Sequence, residues 1–242
     1  MLTVRGLTKQ FYGRYVLRGI DLSIAPGEVV GLIGRSGAGK STLARCLTGL
    51  EKRDAGDVLL SGNPVRPGSG RARQHIQYLW QDATQSLSPY LSAQNAVLET
   101  LSGFQIGPSD QRRSIALDLL ASLDLPASLN NRRPHALSGG QCQRVALAKA
   151  LAAHPDVLIL DEPFSSLDLP TQLMTIRLLQ RLHADRQFAM LIVSHDLAPL
   201  RQLADRIIVL DGAQIVENVP MRAFTKDAKH PLSRAYAATL AR

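Results

Sequence analysis

"VVGLIGRSGAGKSTLARCL", residues 29–47, decides how the rest of the chain is read. Its first six residues are apolar or glycine, the composition of a strand buried on both faces, and "KSTLARCL" continues with helical spacing. Between them Gly34-Arg35-Ser36-Gly37-Ala38-Gly39-Lys40-Ser41 fits the pattern G-x-x-x-x-G-K-S. Glycines let backbone N–H groups converge on phosphate oxygens, Lys40 adds a mobile positive charge, and the Ser41 hydroxyl suits Mg²⁺. The expected phosphate-binding residues are Gly34, Ser36, Gly37, Ala38, Gly39, Lys40, Ser41 and Thr42. A plain glycine-rich turn is the bland reading of the same residues.

On the N-terminal side, residues 2–34 alternate apolar and polar and are punctuated by Gly13 and Pro26-Gly27, which predicts short strands and turns. Downstream, residues 61–74, "SGNPVRPGSGRARQ", predict a basic surface loop, and "HIQYLWQ" a further strand. From about residue 84 segments such as "LSAQNAVLETL" and "DQRRSIALDLLASLDL" have helical spacing, and strands disappear until "DVLIL" at 156–160. Beyond it strands and helices alternate again, the mark of a parallel sheet covered by helices, and Asp211-Gly212 turns the last strand back as a hairpin. No internal repeat or low-complexity tract interrupts this order.

Open parallel sheets collect ligands at the carboxyl ends of their strands. Four apolar runs here end in polar groups suited to one ligand: the 34–41 loop, Gln81, Asp161-Glu162 and Ser194-His195. Asp161 is placed to hold the water shell of Mg²⁺ and Glu162 to polarise an attacking water. Taken alone, Asp161-Glu162 would be a helix cap or solvated turn, His195 a capped-turn or core histidine, and Gln81 an ordinary strand end.

Composition bounds the classes. Apolar residues make up 45% and charged residues 20% of the 242, a globular balance with no sign of disorder. Lys and Arg number 28 against 20 Asp and Glu, so the formal charge of +8 favours anionic partners. The two cysteines, Cys46 and Cys142, have no metal-ligand spacing and read as free thiols in a reducing compartment. No apolar run approaches the roughly 18 residues of a membrane span and no signal peptide is evident, so a cytosolic chain is expected.

The loop 34–41, Gln81, "LSGGQ" 137–141, "LILDEP" 158–163, "SSLD" 165–168 and His195 follow in the order and spacing of one family. Over nearly its whole length the chain resembles the nucleotide-binding subunit of ABC transporters. The resemblance implies an α/β fold: a P-loop NTPase core with a mostly parallel sheet, an N-terminal antiparallel β-subdomain and an inserted α-helical subdomain. Residues 1–242 would form one ABC ATPase domain, with the nucleotide-binding core at 1–82 and 154–242 and the helical, signature-bearing part at 83–153.

That resemblance also implies ATP and Mg²⁺ as ligands, and a head-to-tail dimer in which Ser138, Gly139, Gly140 and Gln141 of one subunit face the phosphate loop of the other. A serine cap, bare glycine N–H groups and the positive helix end make an anion seat; elsewhere Ser-Gly-Gly would be a plain N-cap turn. Phe11 or its neighbour Tyr12 would stack on adenine, though either could be an edge-strand core residue. Gln81 would sense Mg²⁺, Asp168 would communicate across the dimer, and Lys40, Gln81, Glu162 and His195 would carry catalysis, with Ser41, Gln81 and Asp161 at the metal. Trp80 and Cys142 stand where relatives often carry other residues, without removing a catalytic group.

Two further stretches narrow the resemblance. "TKDAKHPLSRAYAATLAR" (225–242) resembles the "HP-(Y/L)-(T/S)-(R/K)-A" segment of peptide and nickel importers, and "QDATQSLSP" (81–89) their "QDP-x-x-SLNP". The implied role is to energise import of peptides, nickel or a metal chelate at the cytoplasmic face of the inner membrane. Implied partners are permease subunits, a second ATPase chain (a copy or a relative) and, indirectly, a solute receptor; no nucleic acid is expected. The competing classes are a soluble ABC ATPase of translation, repair or cofactor assembly, and a nucleotide-gated binding module without hydrolysis.

Overall fold

Leu2, Val4 and Leu7 of β1 (Leu2–Phe11) and Leu17, Ile20, Leu22 and Ile24 of β2 (Arg14–Ile24) are buried between less buried neighbours, as a half-solvated antiparallel pair requires. Tyr12 and Gly13, at φ 51° and 76°, form the two-residue turn between them. The computed structural model describes residues 1–66, 70–165 and 167–240. Pro67, Gly68 and Ser69 of the expected basic loop, Ser166 of "SSLD" and the last two residues of the tail lie outside them.

After β2 the chain runs through β3 (Val29–Gly34) into α1 (Lys40–Thr48), then β4 (Ala55–Leu60), β5 (Asn63–Pro64), α2 (Gly70–His75) and β6 (Ile76–Leu79). The expected basic loop therefore contains a short strand and the start of a helix. Asn63-Pro64 pairs with β4 at the sheet edge, where a missing N–H is tolerated, and the Arg-Ala-Arg-Gln run favours helix. The helices α3 (Ala93–Gly103), α4 (Arg112–Ser122) and α5 (Gly139–Ala152) follow. The remainder alternates: β7 (Val157–Asp161), α6 (Leu169–Arg186), β8 (Ala189–Val193), α7 (Leu197–Leu203), β9 (Arg206–Asp211), β10 (Gln214–Pro220), α8 (Phe224–Asp227) and α9 (Pro231–Thr239).

Two sheets result. The antiparallel one has the order β2-β1-β4-β5 and the larger one β10-β9-β3-β8-β7-β6. In the larger sheet β9, β3, β8 and β7 pair in parallel, while β10 closes the edge as an antiparallel hairpin. Its two-residue loop is Gly212-Ala213, both at positive φ, one residue later than Asp211-Gly212.

The chain divides into two compact units, Met1–Tyr78 with Asp156–Arg242, and Leu79–Pro155. In the first, residues of β1, β2 and β4 join Leu43 and Leu47 of α1 and one face of the large sheet (Val30, Leu32, Ile159, Leu191, Ile208) in a continuous core. Val29, Ile33, Leu158, Leu160, Met190 and Ile192 point to the opposite face and are buried too. Burial of both faces explains why these strands read as unbroken apolar runs. In the second unit α3, α4 and α5 pack on one another through buried residues such as Val97, Leu101, Leu120, Val145 and Leu151.

Candidate functional site

Adjacency of β3, β8 and β7 brings their carboxyl ends to one edge of the sheet, and each end carries polar residues. Beyond β3 the glycines are required by geometry. A Cβ on Gly34 would lie 2.3 Å from the Leu210 carbonyl oxygen of β9, and one on Gly39 (φ +101°) 2.6 Å from that of Val16. Gly37 has open space around it but a φ of +77°, which L residues rarely adopt. Gly39 caps α1 without any side-chain hydrogen bond, so the first N–H groups of that helix have no side-chain cap.

Lys40 reaches back over this loop. Its Nζ donates to the carbonyls of Gly34 (2.8 Å) and Arg35 (3.1 Å). Burial pushes the ammonium's pKa down, and the negative charges of Glu162 and Asp161 act the other way. Ser36 and Gly37 are exposed, Ala38 and Ser41 half-buried and Thr42 buried in the same loop-to-helix turn.

Asp161 closes β7 and is buried, with a hydrogen bond from the Tyr78 hydroxyl to Oδ2 at 2.5 Å and no partner on Oδ1 among the described residues. Burial, then the bond to Asp161, holds the Tyr78 phenol above its ordinary value, so it stays a proton donor. An orphaned carboxylate oxygen in the field of Lys40 fits a hard divalent cation with oxygen ligands. Among the described residues no three His, Cys, Asp or Glu side chains cluster as a metal cage. The donor set therefore fits an ion that takes its other ligands from water and phosphate.

Glu162 follows at φ 50°, in the left-handed region, and its Oε2 lies 2.8 Å from Nδ1 of the exposed His195 and 3.4 Å from that residue's N–H. Of the remaining residues in this unit, Phe11 is partly exposed with the Lys9 ammonium 4.7 Å over its ring, whereas Tyr12 at the hairpin tip is fully exposed. Asp168 serves locally as the N-cap of α6, accepting from the Thr171 N–H at 3.0 Å. Gln81 belongs to the second unit and is exposed just beyond β6.

The second unit carries its own polar terminus. Ser138 Oγ accepts from the Gln141 N–H and Gln141 Oε1 accepts from the Ser138 N–H, a reciprocal capping box that starts α5. Ser138 and Gly139 are exposed, Gly140 half-buried. Beyond its chain neighbours and the backbone of its own helix, no atom of the described residues lies within 4 Å of a Cβ built on Gly139, so tertiary packing does not require a glycine there.

Residues 17–165 match the family model described as ABC transporter. The chain belongs to the ABC transporter family. It is 37% identical over 97% of its length to a Brucella ovis protein provisionally named for peptide import as an ATP-binding protein, covering 77% of that relative. A Brucella abortus protein of the same designation is 38% identical over 92% of this chain and 69% of the relative. Among solved structures, the ATP-binding cassette MJ0796 as a dimer in a post-hydrolysis state bound to ADP and Pi matches with a TM-score of 0.80 and 29% identity, over 93% of this chain and all of that one. A second dimeric structure of that cassette matches equally well at 30% identity. The protein is thus an ABC ATPase that binds and hydrolyses ATP, with the fold class its sequence implies.

Two features of this ABC ATPase, Tyr78 and Tyr236, escape a motif reading. Tyr78 carries no motif signal beyond a polar atom three residues before Gln81. In α9, Tyr236 lies in the field of Glu162, Arg35 and Asp211, and burial is the main cause of its raised pKa. The importer-like "HP" pair is an anchor: His230 caps α9 through Nδ1, Pro231 opens the helix, and Glu217 of β10 accepts from the N–H groups of Lys229 and His230.

Proposed function

We propose that this chain energises a membrane importer by closing on Mg²⁺·ATP against a second cassette, a copy of itself or a related ATPase. The observation that carries the reading is the exposed start of α5. Its capping box uses the Ser138 and Gln141 groups internally, while Gly139 is bare without any need from tertiary packing. Such a tip suits close approach of a terminal phosphate held by another subunit. The dimeric MJ0796 structures, one of them with ADP and Pi, support pairing as the family habit.

In this account the 34–41 loop and α1 bind the phosphates, with Lys40 turning from the Gly34 and Arg35 carbonyls to the nucleotide. Phe11 stacks on adenine, since Tyr12 at the hairpin tip is fully exposed. Asp161 and Ser41 would hold the metal, which when bound would neutralise phosphate charge. Glu162 takes the proton of the attacking water, and His195, bonded to it by Nδ1, orients that carboxylate and reaches toward the γ-phosphate. Asp168, capping α6, relays the state of one site to the other. Loss of the γ-phosphate removes the anchor of the α5 tip and lets the pair open.

Among the described residues no helix is long and apolar enough to cross a membrane. In this reading permease subunits carry the solute and hold the cassette at the cytoplasmic face of the membrane, with a solute receptor acting through them. The names of the Brucella relatives favour peptides over nickel or a metal chelate as cargo. Reconstitution tests this: phosphate release should rise severalfold when the co-purifying permease and a peptide-loaded receptor are present. Turnover indifferent to both would remove the importer reading while leaving the ATPase intact.

A further inference from the structure

The Asp161 carboxylate has two oxygens with different fates, and a residue outside every sequence motif decides which is which. Oδ2 is taken by the Tyr78 hydroxyl at 2.5 Å, from the strand next to β7 in the sheet, while Oδ1 is buried and unpartnered among the described residues. A carboxylate on a free χ2 turns about a broad, two-fold torsion, and a hydrogen bond to one oxygen arrests that turn. Asp161 also sits at the last ladder position of β7, opposite Val193, so its backbone is fixed and χ1 and χ2 are its remaining freedom.

We propose that Tyr78 is a positioning residue for the metal end of the nucleotide site: its hydroxyl pins Oδ2 of Asp161 and thereby keeps Oδ1 as the acceptor for the metal and its water shell. Groups that orient a metal-binding carboxylate act in this way, and their loss commonly weakens the metal 10- to 100-fold. The inference rests on the Mg²⁺·ATP reading above. A purely structural tyrosine would satisfy a buried oxygen and do nothing to metal affinity in particular, and that difference is measurable.

Mn²⁺ serves as the probe, titrated by electron paramagnetic resonance into the purified protein saturated with a non-hydrolysable ATP analogue. Tyr78→Phe keeps the ring and removes the donor. Its Mn²⁺ affinity should fall about tenfold, while analogue affinity in EDTA stays within twofold of wild type and melting within about 4 °C. In an Asp161→Asn background the same substitution should change Mn²⁺ affinity no further. Unchanged Mn²⁺ affinity in Tyr78→Phe would overturn the proposal, as would a fall matched by an equal loss of metal-free analogue binding. If Tyr78→Phe does not fold, Tyr78→Met, which fills the slot with an unbranched apolar side chain, is titrated with the same expectations. Should wild type itself bind no Mn²⁺ with the analogue, or Asp161→Asn bind it as tightly, the metal site rather than the role of Tyr78 would be wrong.

Discussion

Replacing Glu162 by Gln is the perturbation whose size follows most directly from the geometry. Glu162 Oε2 accepts from His195 Nδ1 at 2.8 Å and from its N–H at 3.4 Å. A glutamine keeps one oxygen for those bonds and the same left-handed backbone, so the fold loses only the difference between a charged and a neutral acceptor, about 1 kcal/mol. It cannot accept a proton from water. A general base contributes on the order of 10²- to 10⁴-fold, or about 3 to 5 kcal/mol of barrier. Phosphate release should therefore fall by at least a hundredfold while ATP affinity by calorimetry stays near wild type, and an ATP-retaining dimer should accumulate on a sizing column. Turnover within threefold of wild type, with binding intact, would refute the role of Glu162 as base.

Lys40→Ala should weaken ATP binding itself by about tenfold or more, as loss of a charged phosphate contact requires; unchanged affinity in calorimetry would count against the cradle. Gly34→Ala places a methyl group 2.3 Å from the Leu210 carbonyl, a backbone atom that cannot step aside without moving β9. It should cost about 3 kcal/mol of stability in chemical denaturation, and a neutral result would mean that the two strands are less closely packed. Burial pushes the Glu217 carboxyl up, but the N–H groups of His230 and Lys229 outweigh it and hold the pKa below its ordinary 4.5. Its contribution is therefore complete above about pH 5.5 and is lost as pH falls through 4.5 and the lower folded value. Melting of wild type should drop across that window, whereas Glu217→Gln should show a flatter profile; identical profiles would exclude Glu217 as a source of the acid sensitivity.

Local chemistry was legible in the sequence because each signal spans a few residues. The strand-to-helix change around Gly34–Lys40 and the apolar runs ending in Asp161 and Val193 led to a doubly covered sheet, and the structure builds it. What the sequence could not carry is adjacency between distant segments. Tyr78 and Asp161 are 83 residues apart, and only the neighbouring positions of β6 and β7 bring them together. The reason for a glycine at 34 or 39 is likewise a contact with β9 or β2, invisible in a pattern that asks for glycine alone. The stretch at 61–74 misled for a different reason: Gly and Pro mark turns, yet an edge strand tolerates proline, and the arginines and alanine after it favour helix.

The central claim is that a terminal phosphate is shared between two chains, one giving Lys40 and the other the start of α5. The structure of ATP-loaded Glu162→Gln protein, purified with the cassette that accompanies it, tests this directly. The account predicts the N–H groups of Gly139 and Gly140, or their equivalents in the mate, within hydrogen-bonding distance of a γ-phosphate bound by the facing chain's lysine. Residues 138–140 lying far from every terminal phosphate in that assembly would contradict it.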